Sequence, residues 1–388
     1  MQQEEKKARV IAFYLPQYHP IPENDKWWGK GFTEWTNVAK ARPLFKNHYQ
    51  PKVPADLGFY DLRMAQARES QAKLAQEAGI EGFCYWRYWF GKGKELLETP
   101  FKEVLESGKP DFPFCIGWAN HSWSSKTWEK GTSKVSDVML IEQTYIEAEY
   151  VDHFYELLPA FKDNRYITVD GKPLFVVFDP MAIPDASVFI NTWQDLALKN
   201  GLQGIHFVGI MSNLSGFKYD THKEKHYYAV SASEPATDRY QQVLDLGFDA
   251  VNSRGLFRAE LKVKGRFHKY KQEILKRVFK YDALNIFKYK DIVKHLFIPE
   301  DAWENVYPTV LPNWDRSARS GRKANIYHQS TPALFKKHLK QAIDLVKDKQ
   351  PEHRILFLMS WNEWAEGNYV EPDLKFGHQY LDVIKETL

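Results

Sequence analysis

Short runs of β-branched and aromatic residues alternate along the chain with longer stretches of helical periodicity. This alternation is typical of βα units arranged around a parallel sheet. The strand-like runs cover residues 10–15, 80–85, 114–118, 174–178, 204–210, 248–251, 306–311 and 355–360. Because there are eight of them, the pattern predicts an α/β fold, a single (β/α)8 TIM barrel that spans residues 1–388 and carries long βα loops.

Helical patterns occupy several of the intervals between these runs. They cover residues 61–78, 95–107, 145–161, 187–199 and 331–347. Asp61 is a candidate N-cap of the first helix, and Pro332 suits the first turn of the last one. Residues 166–174 contain Asp170-Gly171 and predict a hairpin before the fourth strand.

Polar and aromatic residues cluster directly after the predicted strands, where the active sites of such barrels lie. Taken singly, each fits a core residue or a side chain that caps a loop, so their joint placement is what favours a site. The candidate substrate-binding residues are Tyr18, His19, Trp28, Glu34, Trp35, Tyr85, Trp86, Arg87, Tyr88, Trp118, Asn120, His121, Trp314, Asp315, Trp361, Asn362 and Trp364.

The run SWNEWAEG at residues 360–367 follows the last predicted strand and carries the candidate catalytic residues, Glu363 and Glu366. Their i, i+3 spacing places both carboxylates on one side of a helical turn. Two carboxyl groups that flank one bond are what glycoside cleavage requires. The alternative is an exposed helix start, where glutamate is favoured by the macrodipole. Asn362 fits either a functional role, in which it binds a sugar hydroxyl or orients Glu363, or a structural role as a loop cap, and Glu371 is expected at the surface.

The composition adds an unusual number of aromatic residues: 13 Trp, 21 Tyr and 25 Phe. Many of them stand beside polar residues, as in YWRYW at 85–89 and WANHSW at 118–123. Aromatic rings next to hydrogen-bonding groups suit sugars, which have an apolar face and a polar rim. The composition therefore favours an oligosaccharide or polysaccharide as substrate.

Residues 258–297 are rich in lysine and arginine and predict a basic helical insertion before strand seven. A solvated helical face is one interpretation. The other is docking to an anionic surface, such as a lipid-linked glycan or the inner leaflet of a membrane. The net charge of the whole chain is only +3, which gives no argument for nucleic acid as a partner.

We expect neither a metal nor a cofactor. His19 and His121 stand in different loops without metal-ligand spacing, and phosphate-binding glycine motifs are missing from the sequence. Cys84 and Cys115 lie in apolar runs and are expected to be buried free thiols. With a charged start and no apolar run of about 18 residues, the sequence predicts a cytoplasmic protein, peripheral to the inner membrane if residues 258–297 dock there.

Several motifs give the chain a family resemblance that extends from Arg9 to Tyr380. They are IAFYLPQYHP at 11–20, WGKGFTEWTNV at 28–38, GFCYW at 82–86, WANHSW at 118–123, GKP at 171–173 and SWNEWAEG at 360–367. With these motifs the chain resembles the WbsX-type proteins, a group similar to the endo-α-mannosidases of glycoside hydrolase family 99.

The resemblance implies a (β/α)8 barrel and a retaining reaction without metal on an α-mannoside-like bond. It implies that Glu363 acts as a base on the sugar 2-hydroxyl and that Glu366 is the general acid/base. WbsX-type proteins are commonly labelled glycosyltransferases of O-antigen and lipopolysaccharide assembly. Three expectations follow: a glycosidase, a cytoplasmic glycosyltransferase, or a glycan-binding protein without catalysis.

Overall fold

A computed structural model describes residues 7–124, 138–212, 217–218, 228–229, 236–265 and 283–388. Eight parallel strands form a closed barrel, in which each strand pairs with the next one and the last pairs with the first. The strands are β1 Arg9–Tyr14, β2 Gly82–Trp89, β3 Phe114–Trp118, β4 Lys172–Val177, β5 His206–Ser212, β6 Ala250–Arg254, β7 Val306–Val310 and β8 Ile355–Leu358. The predicted TIM barrel is confirmed.

Helices cover the outside of the barrel, and short helices also lie within its loops. They are α1 Pro22–Trp28, α2 Glu34–Lys40, α3 Ala65–Glu77, α4 Thr99–Ser107, α5 Glu147–Phe161, α6 Ala186–Lys199, α7 Ala236–Asp245, α8 Tyr289–Val293, α9 Ser317–Ser320, α10 Pro332–Val346 and α11 Gln379–Thr387. No α-helix in the described ranges combines the length and apolar character that a membrane span requires.

Side chains alternate between the two faces of each strand, because successive residues of a strand point to opposite sides. Phe13 of β1 stacks on Trp86 of β2 at 4.8 Å and on Phe357 of β8 at 5.0 Å, which places these rings inside the barrel. Tyr85, next to Trp86, instead contacts Phe101 of α4 at 5.4 Å. The aromatic residues therefore fill two layers, the barrel interior and the space between the strands and the helices.

Two predicted element boundaries are wrong. The helix predicted from Asp61 begins at Ala65, because the Asp61 carboxylate accepts a hydrogen bond from the backbone N–H of Arg63 and closes a local turn instead. The helix predicted from Glu95 begins at Thr99, because Glu95–Leu96 pair with the end of β2, which extends to Trp89. Smaller shifts of one to three residues occur at other strands.

The hairpin before β4 is confirmed, with Thr168–Val169 paired to Lys172–Val177 in antiparallel fashion. Cys84 and Cys115 are buried free thiols on adjacent strands, as predicted.

The basic segment 258–297 is described only in part, since residues 266–282 lie outside the described ranges. Residues 256–265 are helical, and α8 follows at Tyr289–Val293. Between them, Asn285–Lys288 form a strand rather than the predicted helix, because they pair in parallel with Asn325–His328. The described end of the segment is thereby joined to the chain that follows β7.

Candidate active site

The two candidate catalytic carboxylates lie on a tight turn at the carboxyl end of β8. Asn362–Glu363 pair with Asn368–Tyr369 as a short antiparallel ribbon, and a 3₁₀ turn, Trp364–Glu366, connects the two. Gly367 closes this turn with φ of +67°, and an added Cβ there would lie 2.4 Å from the Lys52 ammonium. Only glycine fits this conformation and this space without rearrangement.

Buried side chains fasten this catalytic turn, residues 362–367, to the chain that follows β1. The Asn362 amide accepts a hydrogen bond from the backbone N–H of Leu15 at 2.8 Å and donates one to its carbonyl at 3.0 Å. The Tyr18 hydroxyl donates to the Asn362 carbonyl and accepts from the Trp364 backbone N–H. Asn362 therefore acts as a loop tether, which was one of its two predicted roles.

Glu371, expected at the surface, is buried, and that expectation is wrong. Its carboxyl group accepts hydrogen bonds from the Trp364 indole at 2.6 Å, the Gln71 amide at 2.7 Å and the Tyr60 hydroxyl at 2.9 Å. Burial raises the pKa of Glu371 to about 7, although these hydrogen bonds oppose the rise. Partners from α3 and from the loop before it enclose the group, and they are distant in sequence.

Three carboxyl groups share one arginine at the mouth of the barrel. Arg319 of α9 contacts Glu366 at 2.5 Å, Glu34 at 2.6 Å and Glu363 at 3.4 Å. Arg316, one turn earlier, approaches Glu366 at 3.1 Å. Elements that follow β1, β7 and β8 thus meet at this cluster of Glu34, Arg316, Arg319, Glu363 and Glu366, the acid–arginine cluster.

The cluster shifts the ionisation of its two candidate catalytic groups in opposite directions. Burial, together with the neighbouring Glu366 carboxylate, raises the pKa of Glu363 to about 8. Burial also disfavours the charge of Glu366, but Arg316 and Arg319 outweigh it and lower the pKa of Glu366 below its ordinary value. At neutral pH the site therefore offers one protonated and one ionised carboxyl group, as acid–base catalysis requires.

The pKa of Glu34 is raised by burial, and Arg319 opposes the rise. Glu34 is completely buried and contacts Arg319, and its charge also contributes to the raised pKa of Glu363.

Some predicted binding residues do lie at the mouth beside this cluster. Burial and the nearby Glu363 carboxylate raise the pKa of the Tyr88 hydroxyl, so this side chain faces the cluster. Trp86 lies inside the barrel, 5.7 Å from Phe178. His121 contacts Phe178 at 5.0 Å, and burial lowers its pKa to about 4.

Other predicted binding residues face the helices, and the structure does not bring them to the mouth. Arg87 pairs with Glu95 and Glu156, and Trp118 donates to the Trp89 carbonyl at 2.8 Å. They share this outward orientation because the side chains of a strand alternate. Tyr85 packs on Phe101 of α4, and Trp361 is fully buried 5.2 Å from Phe83.

A third group of predicted residues joins loops to one another. Besides Tyr18 and Asn362, it includes Trp35, whose indole donates to the Tyr60 carbonyl, and Trp364, which stacks on Tyr369 at 3.7 Å. Asn120 bonds both backbone groups of Asp179. Asp315 accepts hydrogen bonds from His48 and Gln50.

The remaining three predicted residues are His19, Trp28 and Trp314, and their described neighbours are groups other than Glu363 and Glu366. Burial lowers the pKa of His19, whose charged neighbours include Asp61 and Arg63. Trp28 and Trp314 are half-buried, and their rings lie 6.1 Å from Phe32 and 6.5 Å from Tyr327.

Sequence reasoning missed the arginines of the mouth. Arg316 and Arg319 stand in the polar run RSARSGRK, which reads as a solvent-exposed basic loop. Arg254 ends β6, the weakest of the predicted strands, and lies over the rings of Phe13 and Trp86 at 4.7 and 5.7 Å. The position of Arg316 directly after the seventh strand was the one available signal.

No group of three histidine, cysteine, aspartate or glutamate side chains within the described ranges is arranged to hold a metal ion.

Comparisons with known proteins point to carbohydrate chemistry. A family model described as "Glycosyltransferase WbsX" matches residues 10–384. Two curated relatives, both named "Uncharacterized protein WxcX" and both from Xanthomonas campestris pv. campestris (strains B100 and ATCC 33913), are 33% identical over 383 residues. These alignments cover 98% of this chain and 50% of each relative, so the chain spans about half the length of the curated relatives it matches.

Solved structures are similar at the level of the fold. A "Glycoside hydrolase-like protein" has a TM-score of 0.55 at 14% identity, over 99% of this chain and 95% of that one. The GH99 endo-α-mannosidase from Bacteroides thetaiotaomicron, in complex with BIS-TRIS-propane, has a TM-score of 0.53 at 13% identity, over 99% and 96% of the two chains. At these identities the likeness shows the barrel architecture alone.

Proposed function

The chain belongs to the WbsX glycosyltransferase family, and we propose that it is a carbohydrate-active enzyme that acts on an α-glycosidic bond with retention of configuration. Glu363 and Glu366 are the reacting carboxyl groups of this proposal. The observation that carries it is the catalytic turn, which presents both groups at the barrel mouth while Arg316, Arg319 and burial hold them in opposite ionisation states.

The proposed reaction needs one proton on the pair. One carboxyl group protonates the leaving oxygen as the glycosidic bond breaks, and the other acts on the anomeric side of the sugar. Burial raises the pKa of Glu363 while the arginines lower that of Glu366, so this order places the proton on Glu363. This order is the reverse of the one that the family resemblance implies, so the assignment of roles needs its own test.

Substrates with and without a need for leaving-group protonation separate the two roles. We would compare an α-mannosyl oligosaccharide with an α-mannosyl fluoride, since fluoride departs without a proton donor. Glu363→Gln and Glu366→Gln should each lower kcat/KM on the oligosaccharide by about 100- to 10,000-fold, the usual size of a general acid–base contribution. The variant that lacks the general acid should keep its activity on the fluoride. The variant that lacks the group acting on the anomeric side should have low activity on both substrates.

A matched control is Glu386→Gln, which changes a carboxylate at the surface of α11. It should leave both activities unchanged. Wild-type turnover of the oligosaccharide by either Glu363→Gln or Glu366→Gln would contradict the proposal.

A second candidate is transfer from an activated sugar donor in the cytoplasm during surface-polysaccharide assembly. The specific observation in its favour is the arginine content of the mouth, where Arg254, Arg316 and Arg319 converge, because guanidinium groups match the geometry of phosphate. Incubation with nucleotide sugars and a glycan acceptor tests it. Release of the nucleotide together with a lengthened glycan would favour this candidate, and hydrolysis of the α-mannoside alone would exclude it.

A further inference from the structure

A cavity of about 280 Å³, called the second cavity because it is separate from the site of Glu363 and Glu366, lies beside the catalytic turn and plays no part in the proposed reaction. Its walls come from the chain after β1, the chain after β7 and the chain after β8. Gly367 lines this cavity, whereas Glu363 and Glu366 are not among its lining residues. The cavity thus touches the catalytic turn at its last residue.

The two carboxylates of this cavity are already engaged by protein donors. Asp315 accepts hydrogen bonds from His48 and Gln50 at 2.9 Å each and from the Ser317 backbone at 3.0 Å. Asp373 accepts from the Tyr369 hydroxyl at 2.6 Å and from the backbone N–H groups of residues 375 and 376 at 2.9 and 2.6 Å. Neither acid is therefore well placed to bind the hydroxyl groups or the cations of a ligand.

The two ammonium groups of the cavity, in contrast, have donors to spare. Lys52 is 2% exposed and donates one hydrogen bond, to the Gly367 carbonyl at 3.3 Å. The Lys375 ammonium lies over the rings of Tyr49 and Phe376 at 4.5 and 4.8 Å. Asp315 and Asp373 act electrostatically on Lys52, but within the described part of the chain neither ammonium lies in ion-pair contact with a carboxylate, although an ammonium has three protons to donate. The two lysines of the cavity therefore offer hydrogen-bond donors to a ligand.

We infer that this cavity binds an anionic group, a phosphate or a carboxylate, carried by a sugar. A buried cation that lacks an ion pair favours an anion as its partner. The rings of Tyr49, Tyr327 and Phe376 also line the cavity and suit the apolar face of a sugar. The volume lies just below the roughly 300–1,000 Å³ typical of ligand sites, which fits one sugar unit.

The position of the cavity connects the anion to the catalytic turn. Lys52 bonds the Gly367 carbonyl, and the backbone N–H of Asp315 donates to the Glu366 carbonyl at 2.8 Å. An anion held by Lys52 would lie next to the residue that follows Glu366. The binding of an anion in this cavity does not depend on the proposed function. The further statement that the anion is part of the enzyme's own substrate rests on the proposed function.

Calorimetric titration of the full chain tests the inference with three probes: glucose 1-phosphate, glucuronate and glucose. At least one of the two anionic sugars should bind about 10-fold more tightly than glucose, the size of one charge-assisted hydrogen bond. Preference for the phosphate identifies a sugar phosphate as the source of the anion, and preference for glucuronate identifies a uronic acid. Equal or tighter binding of glucose would overturn the inference.

Two lysine variants locate the binding. Lys375→Gln, at a half-buried position, should weaken the binding of the anionic sugar about 10-fold. Lys52→Met should weaken this binding to the same extent if circular dichroism shows that the variant is folded. Lys337→Gln, on the exposed face of α10, is the control and should bind like the wild type. Unchanged binding in Lys375→Gln would exclude the cavity.

Glu366→Gln separates this inference from the proposed function. The variant should keep the anion affinity while it loses turnover, because Glu366 does not line the cavity. Anion binding in a wild-type protein that has no glycosidase or transferase activity would therefore leave the inference standing and remove the proposed function.

Discussion

At the amino end of the barrel Arg9 pairs with one carboxylate, whereas at the carboxyl end Arg319 is shared by three. Arg9 makes two parallel contacts with Glu81, at 2.7 and 2.9 Å. Close to it, hydrogen bonds run from His206 through Tyr307 and His353 to Asp170 with separations of 2.9 to 3.0 Å. Each of these named groups has its own partner among the described residues.

This difference shows how the barrel divides stability from chemistry. A matched ion pair stabilises the fold and leaves each group in its ordinary charge state. One guanidinium cannot neutralise the charges of three carboxylates at once. Burial of the carboxyl groups that are not fully neutralised therefore raises the pKa values of Glu34 and Glu363. Perturbed pKa values of this kind cluster at functional sites, and in such barrels those sites lie at the carboxyl ends of the strands.

The largest effect should come from Arg319→Met, compared with Arg9→Met at the opposite end. Loss of Arg319 removes a cation that holds Glu366 ionised, so we expect kcat/KM on the α-mannosyl oligosaccharide to fall about 100-fold or more. Arg9→Met should keep activity within about twofold of the wild type, because it lies at the stability end of the barrel. Steady-state kinetics of both variants measure the contrast.

Arg319→Lys sharpens that comparison. An ammonium keeps the positive charge but lacks the planar fork that contacts Glu34 and Glu366 together. We expect an intermediate activity and a shifted pH profile rather than a simple loss. Equal activity losses in Arg9→Met and Arg319→Met would abolish the distinction between the two ends.

The two ends should also respond to pH in opposite directions. The unfolded chain releases the Glu363 proton near 4.5 and the folded chain near 8, so this group lowers stability as pH rises between those values. Burial lowers the pKa of His206 from 6.5 to about 3, so the unfolded chain binds its proton first and stability falls as pH drops from 6.5 towards 3.

Urea unfolding across pH 3 to 9 tests this opposition. Glu363→Gln should reduce the loss of stability on the alkaline side of the profile, to which Glu371 also contributes, and His206→Asn should reduce the loss on the acidic side, to which His121 also contributes. Identical profiles for wild type and Glu363→Gln would show that this carboxyl group is ionised in the folded protein.

A smaller effect is expected from Arg9→Met on stability itself. The pair with Glu81 is about one-fifth to one-quarter exposed, so water already screens part of the interaction. We expect the free energy of unfolding to fall by about 1 to 2 kcal/mol, measured in urea at pH 7. The double variant Arg9→Met/Glu81→Gln should be only slightly less stable than Arg9→Met, since the loss of Arg9 already removes the ion pair and the two losses are not additive.

The sequence sufficed for the barrel because strand-like runs and their exits are local signals. It placed Glu363 and Glu366 on one turn, since the i, i+3 spacing needs no knowledge of distant residues. It did not separate Trp86, inside the barrel, from Tyr85 and Arg87, outside it, because an aromatic run that is buried on both faces hides the alternation.

The rest of the site depends on contacts between distant parts of the chain. Arg319 lies 285 residues from Glu34, and Glu371 lies 300 from Gln71. In the sequence, the loop that carries Arg319 and the residue Glu371 both look like solvent-exposed charges, because their partners are distant along the chain and become neighbours only in the folded protein. Residues whose role depends on such a partner were therefore missed or misplaced.

The last effect, on membrane binding rather than on activity or stability, concerns the basic segment 258–297. Asn285–Lys288 pair with Asn325–His328, and His328 lines the second cavity, so this segment is tied to the carboxyl end of the barrel. We propose that the segment docks on an anionic membrane and holds a cytoplasmic enzyme at the inner leaflet. Each lysine near such a surface contributes about 1 kcal/mol.

Sedimentation with vesicles of phosphatidylcholine, with and without 30% phosphatidylserine, measures this docking. Lys288, Lys290 and Lys294 are exposed, and changing all three to alanine should weaken binding to the anionic vesicles by about 3 kcal/mol at low salt and less at higher salt. Alanine at Lys337, Lys340 and Lys347, exposed on α10 and its C-cap, is the matched control. An equal loss of vesicle affinity in both triple variants would indicate that the overall charge of the protein attracts it to the membrane. The basic segment would then not be a specific docking surface at the carboxyl end of the barrel.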